Sequence, residues 1–182
     1  MKKTLFLMIP AVIFILCAFA FFFAGPKKQV KTLPRHSQIP LLEPEQITMT
    51  LYFADQDALY VCPEKRTVKK TDAMLEELVL QELVKGPRNP GLDMTIPPES
   101  RLLSVKVENG VAYVNFSREL QTTHWGGSAG ETMTIYSIVN SLTEIPYIKK
   151  VQLLLENRIE QSIWGHAVTS EPIARNIHRI KQ

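Results

Sequence analysis

The residues with the most chemical potential in this 182-residue chain are four histidines, two cysteines and the string Trp125-Gly126-Gly127-Ser128. Ser128 stands near His124, which invites a nucleophile and its base. The surroundings do not have the strand-turn-helix pattern that lifts a hydrolase serine out of the fold. Ser128-Ala129-Gly130-Glu131 instead has the form of a capping box, in which the serine and the glutamate satisfy free N–H groups at a helix start. That gives Ser128 and Glu131 structural work, so no catalytic residue is expected. His124, His166, Glu171 and His178 could supply metal ligands, but their spacing fits no ligand motif, and no metal or other cofactor is expected. Gly126-Gly127 ahead of a helix resembles an anion-binding turn, yet it lacks the preceding strand and a lysine. One binding arrangement survives. Trp125, Gly126, Gly127 and Ser128 form a turn on which a cell-wall glycan or another small ligand could stack, and this is the alternative functional reading.

The cysteines do not form an internal pair. Cys17 lies in a hydrophobic segment, so the folded part has Cys62 alone, expected as a small apolar residue in a strand.

The elements that would position these residues can be read from periodicity. Ile47 to Phe53 alternates apolar Ile47, Met49, Leu51 and Phe53 with Thr48, Thr50 and Tyr52, as a strand does. Ala58 to Val68 predicts a second strand, kinked or interrupted at Pro63. Asp72 can cap a helix with Leu75, Leu78, Val79 and Leu83 on its apolar stripe and Gly86-Pro87 as its stop. Asn109-Gly110 is the preferred dipeptide of a two-residue hairpin loop. Closing the loop there pairs Val107 with Ala112, Val105 with Val114 and Leu103 with Phe116, all apolar. A helix from Ser128 carries Ile135, Ile138, Val139 and Leu142, and Lys149 to Leu155 predicts a strand. Ile159 to Trp164 predicts the last strand, followed by a polar, irregular tail over residues 172–182. The expected order is ββαββαββ: an α+β fold with two helices on one face of a mainly antiparallel sheet.

The N-terminus is different in kind. Lys2 and Lys3 precede an uncharged run from Leu5 to Ala24, long enough as a helix to cross ~30 Å of hydrocarbon. Residues 1–25 are therefore read as an uncleaved membrane anchor. Two other readings use the same residues: a signal peptide cleaved after Ala18-Phe19-Ala20, or a lipoprotein modified at Cys17. Residues 26–45 hold Pro26, Pro34, Pro40 and Pro44 among basic residues and predict an extended linker. The folded part, residues 46–171, is expected outside the cytoplasm. A net charge of +3 is too small and too dispersed for a nucleic-acid partner.

A longer set of residues carries a resemblance. Leu83-Val84-Lys85-Gly86-Pro87, Ile96-Pro97, Asn109-Gly110-Val111-Ala112-Tyr113-Val114-Asn115-Phe116-Ser117, Gly126-Gly127-Ser128, Tyr136-Ser137-Ile138-Val139-Asn140 and Gly165-His166 occur in order. This string resembles the GerMN domain family, over about Ile47 to Glu171. The resemblance implies a compact α/β module similar to ring-building domains, without known catalytic activity. It also implies a role in sporulation, germination or general envelope assembly, with other envelope or sporulation-complex proteins, or further copies of itself, as partners.

Overall fold

The computed structural model describes residues 45–181. The expected anchor through Leu5–Ala24, and the linker up to residue 44, lie outside the described residues. Among the described residues no helix is long and apolar enough to cross a membrane.

The alternating segment forms β1 (Gln46–Asp55), antiparallel to β2 (Val61–Lys69). Pro63 does not interrupt β2; it sits opposite Tyr52 within a continuous ladder. β2 is the outer strand of its sheet, where a residue without an N–H leaves no inner bond unmade. Helix α1 (Leu75–Val84) buries Leu78, Val79, Leu80 and Leu83. Its N-cap is Met74, with no side-chain cap, so Asp72 does not take that role. A two-residue strand β3 (Leu92–Asp93), absent from the expected order, pairs with Ala54 and Asp55.

The hairpin is β4 (Leu102–Glu108) and β5 (Val111–Phe116), with Asn109 and Gly110 both at positive φ (51° and 80°) as a two-residue loop of this type requires. Val107 faces Ala112 and Val105 faces Val114, as expected. A register shift between Leu102 and Ser104 then gives Phe116 the partner Leu102, and Leu103 turns outward. After a short helix α2 (Glu119–Thr122), helix α3 (Ser128–Leu142) leads into β6 (Lys150–Leu155), which runs parallel to β5. The expected strand at Ile159–Trp164 does not form. The sheet ends instead on β7 (Ile173–Ala174), antiparallel to β6. Residues 159–164 cross back over α2, where the indole N–H of Trp164 donates to Leu120 O at 3.0 Å.

The fold is α+β, with two small sheets in the orders β2-β1-β3 and β4-β5-β6-β7 in place of one. α3 joins them. Ile135, Ile138, Val139 and Leu142 enter the main core with Leu51, Phe53, Val114 and Leu153. A second row on α3 is made of hydroxyls. β1 has β3 on its inner side only at Ala54 and Asp55, which leaves the Tyr52 backbone without a strand partner there. Ser137 Oγ donates to Tyr52 O, and Tyr52 N donates to Ser141 Oγ at 2.9 Å.

The polar tail is mostly irregular apart from β7 and a 3-10 turn (Ile177–Arg179), and it is tied to the rest of the fold. Arg175 donates to Asn140 O, and Asn176 exchanges bonds with the buried Asn140 side chain at 3.1 and 3.3 Å. Farther along, Lys181 N donates to Val61 O.

Two stability predictions follow from these contacts. Ser137→Ala orphans Tyr52 O and removes the acceptor of Thr95 Oγ1, so it costs about 1–3 kcal/mol in urea unfolding, while Leu103→Ser stays within about 0.5 kcal/mol. Truncation after Glu171 leaves the Asn140 side chain unpaired and costs at least about 2 kcal/mol; an unchanged unfolding midpoint would show that the tail contributes nothing.

Candidate functional site

The turn singled out by the sequence is held from below by His124. Its Nε2 lies 2.9 Å from Thr134 Oγ1, and its Nδ1 accepts from Gly126 N at 3.3 Å. Both ring nitrogens are engaged, so His124 does not serve Ser128 as a base. Burial pushes its pKa down, against a smaller upward pull from Glu131. Thr134 Oγ1 also bonds Thr95 O, and Thr95 Oγ1 donates to Ser137 Oγ at 2.6 Å, so the turn connects to the hydroxyl row of α3.

Trp125 lies parallel to the His124 ring, with centroids 5.9 Å apart and planes 4° apart, and half of its surface is exposed (54%). Trp164 packs against His124 with ring centroids 4.9 Å apart and planes tilted by 42°. Gly126 runs against α3 so closely that an added Cβ would stand 3.1 Å from Gly130 Cα. Gly127 is the N-cap of α3, and Ser128 is its exposed first residue, without a side-chain cap. The expected capping box is therefore not formed. Glu131 turns away into the fold, 1% exposed, and accepts from His166 N, Ala167 N and, at 3.0 Å, His166 Nδ1. It pins the Gly165-His166 segment against α3. The spelling Gly126-Gly127-Ser128-Ala129-Gly130 matches Gly-x-Ser-x-Gly, but it lies between α2 and α3, not after a strand.

Two clefts open on either side of this turn. One, of about 350 Å³, is walled by Trp125, Gly126 and Gly127, with Ala54, Ala58, Met94 and Met133 on its apolar side and Asp55 and Asp93 on its polar side. The other, about 270 Å³, lies between His124, Trp164 and His166. Ser128 lines neither. Asp55 is buried, which opposes ionisation. Hydrogen bonds from Tyr60 N, Leu59 N and Lys181 outweigh that burial and hold its carboxyl below the usual carboxylate range. Of the candidate ligands, His124 and His166 line one cleft and His178 lies at another, and among the described residues no group of three His, Cys, Asp or Glu side chains could hold a metal ion. Cys62 is a free, half-buried thiol on β2, its pKa raised by burial.

A third feature lies at the edge of the second sheet. β4 is the outer strand of its sheet, and a groove of about 630 Å³ separates it from α1. Met74, Val84 and the outward-turned Leu103 give it an apolar lining, while Glu77, Lys85 and Arg101 supply charge. The signal that hid it was the bulge after Leu102, which no alternation rule places.

A family model described as "Germane: Sporulation and spore germination" matches residues 50–160. Among solved structures, a Clostridium perfringens protein assigned as a lipoprotein is 26% identical. The match covers 71% of this chain and 87% of that one, with a TM-score of 0.51. The first GerMN domain of the sporulation protein GerM from Bacillus subtilis is 20% identical, over 71% of this chain and 98% of that domain, with a TM-score of 0.60. The tandem GerMN domains of the same protein are 22% identical, over 72% of this chain and 45% of theirs, with a TM-score of 0.56. The chain thus spans one unit of the tandem protein, under half of its length. No curated protein sequence matches the chain.

The depressed pKa of His124 makes a prediction about stability. The unfolded imidazole titrates near ~6.5 and the folded one lower, so between these values the unfolded state binds more protons. The contribution of His124 is present above ~6.5 and is lost as pH falls through the interval down to the folded value. In urea titrations at a series of pH values, His124→Gln should show a shallower loss of stability below ~6.5 than the parent chain; parallel curves would exclude this role.

Proposed function

The chain belongs to the Germane family of sporulation and spore germination, and from that premise we propose that it is a non-enzymatic assembly module acting outside the cytoplasm, held at a bacterial membrane through Leu5–Ala24. The observation that carries the proposal is the family match itself, which spans residues 50–160. The 26% identity to a Clostridium perfringens protein assigned as a lipoprotein supports membrane attachment. His124 and Glu131, the two groups best suited to acid-base work, are both occupied in holding the fold, which favours binding over catalysis.

The surface offered to a partner is the open side of β4 with the groove beside it. An outer strand presents unpaired N–H and C=O groups, and a partner segment can add to it while its side chains enter the adjoining groove. Partners are other envelope or sporulation-complex proteins, or further copies of this chain. Leu103, displaced outward by the bulge, lines this surface.

The attachment and the role are tested separately. Deleting residues 5–24 moves the protein out of carbonate-washed membranes, and Cys17→Ser leaves it there; loss of attachment in Cys17→Ser would replace the helical anchor with a lipid one. Deleting the gene lowers heat-resistant spore counts at least about tenfold, and Leu103→Glu fails to restore them although it folds. Unchanged counts in the deletion strain would overturn the sporulation role.

A further inference from the structure

The 350 Å³ cleft beside Trp125 is unrelated to the β4 surface and carries a different chemistry. Its size is at the lower end of small-molecule sites, room for one or two sugar rings. One wall is an aromatic ring, the half-exposed indole of Trp125. Trp125 lies parallel to His124, and His124 is bonded to Thr134 and Gly126 N and packs against Trp164. The His124 ring beneath it is part-buried, and both of its nitrogens are engaged. Across from it, Ala54, Ala58 and Met133 give an apolar floor, and the side chain of Asp93 is exposed at the mouth with no hydrogen-bond partner among the described residues.

An amphipathic ligand is needed to satisfy both halves. A pyranose has one: its C–H face is apolar and stacks on an aromatic ring, while its equatorial hydroxyls donate at the rim. A carboxylate has two oxygens that can accept from neighbouring hydroxyls together. The charge of the cleft narrows the choice. Asp55 is paired with Lys181, so the charge left facing the cleft is that of Asp93, and among the described residues no lysine or arginine lines it, which disfavours a phosphate or an acidic sugar. We propose that this cleft is a binding site for a neutral pyranose, with Trp125 as the stacking platform and Asp93 accepting from two adjacent hydroxyls.

This site stands independently of the assembly role, because Trp125 and Asp93 do not line the β4 groove. The test uses the full chain in detergent micelles with chitotriose and maltotriose as probes, read by saturation-transfer NMR. Saturation of the C–H protons of one ring face with either sugar supports the site, and comparison of the two shows whether an acetamido group is required. Trp125→Ala should abolish the signal and Asp93→Ala should weaken binding at least about tenfold, whereas Tyr147→Ala, an exposed aromatic elsewhere, should change nothing. Both cleft positions are exposed, so thermal unfolding should be unchanged in the two variants, which separates loss of binding from loss of fold. No saturation with either sugar, equal saturation in Trp125→Ala, or binding only of an apolar peptide would overturn the proposal.

Discussion

The fold depends on a helix that hydrogen-bonds the open side of a strand. A strand with no neighbour leaves its N–H and C=O groups unpaired, and burying them so costs roughly 1–3 kcal/mol each. At Tyr52 both groups are met by side chains of α3, Ser137 for the carbonyl and Ser141 for the amide. These positions are four apart on one face of the helix. The adjoining face carries Ile135, Ile138, Val139 and Leu142 into the core. α3 therefore replaces a missing strand for one sheet while it bridges β5 to β6 in the other. Thr134 and Thr95 extend the same row of hydroxyls to His124, so the turn at Trp125 is coupled to the centre of the molecule.

Buried charge does the complementary work at the other side of β1. Arg66, 2% exposed, donates to Glu82 O at 2.9 Å, Gly86 O at 2.9 Å and the Glu82 carboxylate at 3.2 Å, pairs with Glu64, and lies over the Phe53 ring at 5.4 Å. Gly86 O and Glu82 O are at the end of α1, where carbonyls lack helical partners. One guanidinium thus closes the helix terminus onto β2. Burial opposes the ionisation of Glu82 and Glu64, but their hydrogen bonds to Lys85 and Arg66 respectively prevail and hold both carboxyls below the ordinary range. Desolvation of the charges offsets much of the attraction within such a cluster. A similar arrangement, Arg175 with Tyr52 and Glu144, fastens the C-terminal segment.

The exposed turn and the β4 groove are products of the same packing. Gly126 lies against Gly130 because neither has a side chain, and that contact sends Trp125 outward. The bulge at Leu103 lets β4 meet Ser117 and Arg101 at its start, where Arg101 N donates to Ser117 Oγ at 3.0 Å. Two surfaces with separate chemistries result, one aromatic and acidic, one apolar with a free strand edge.

Local periodicity and turn chemistry sufficed for the class of the fold, the hairpin at Asn109-Gly110, the apolar stripes of both long helices and the strands at β1 and β6. Each is decided by neighbours within a few residues, which is why it can be read from sequence. The resemblance to a known domain was legible for the same reason, as a string of turns, caps and core positions in order. What the sequence could not convey was pairing between distant segments. Ile159–Trp164 has the apolar alternation of a strand, but β7 takes the place beside β6, and the two residues that do so, Ile173 and Ala174, carry no periodic signal. Ser128 and Glu131 spell a capping box, yet Glu131 finds better partners in His166 and Ala167, thirty-five and thirty-six residues away. The candidate turn was visible as residue types; its cleft was not, because Asp93, Ala58 and Met133 reach it from three separate elements and loops. Local free energy writes the elements. Which edge is left open, and which side chain lies over it, is decided only when the whole chain competes for the same buried partners.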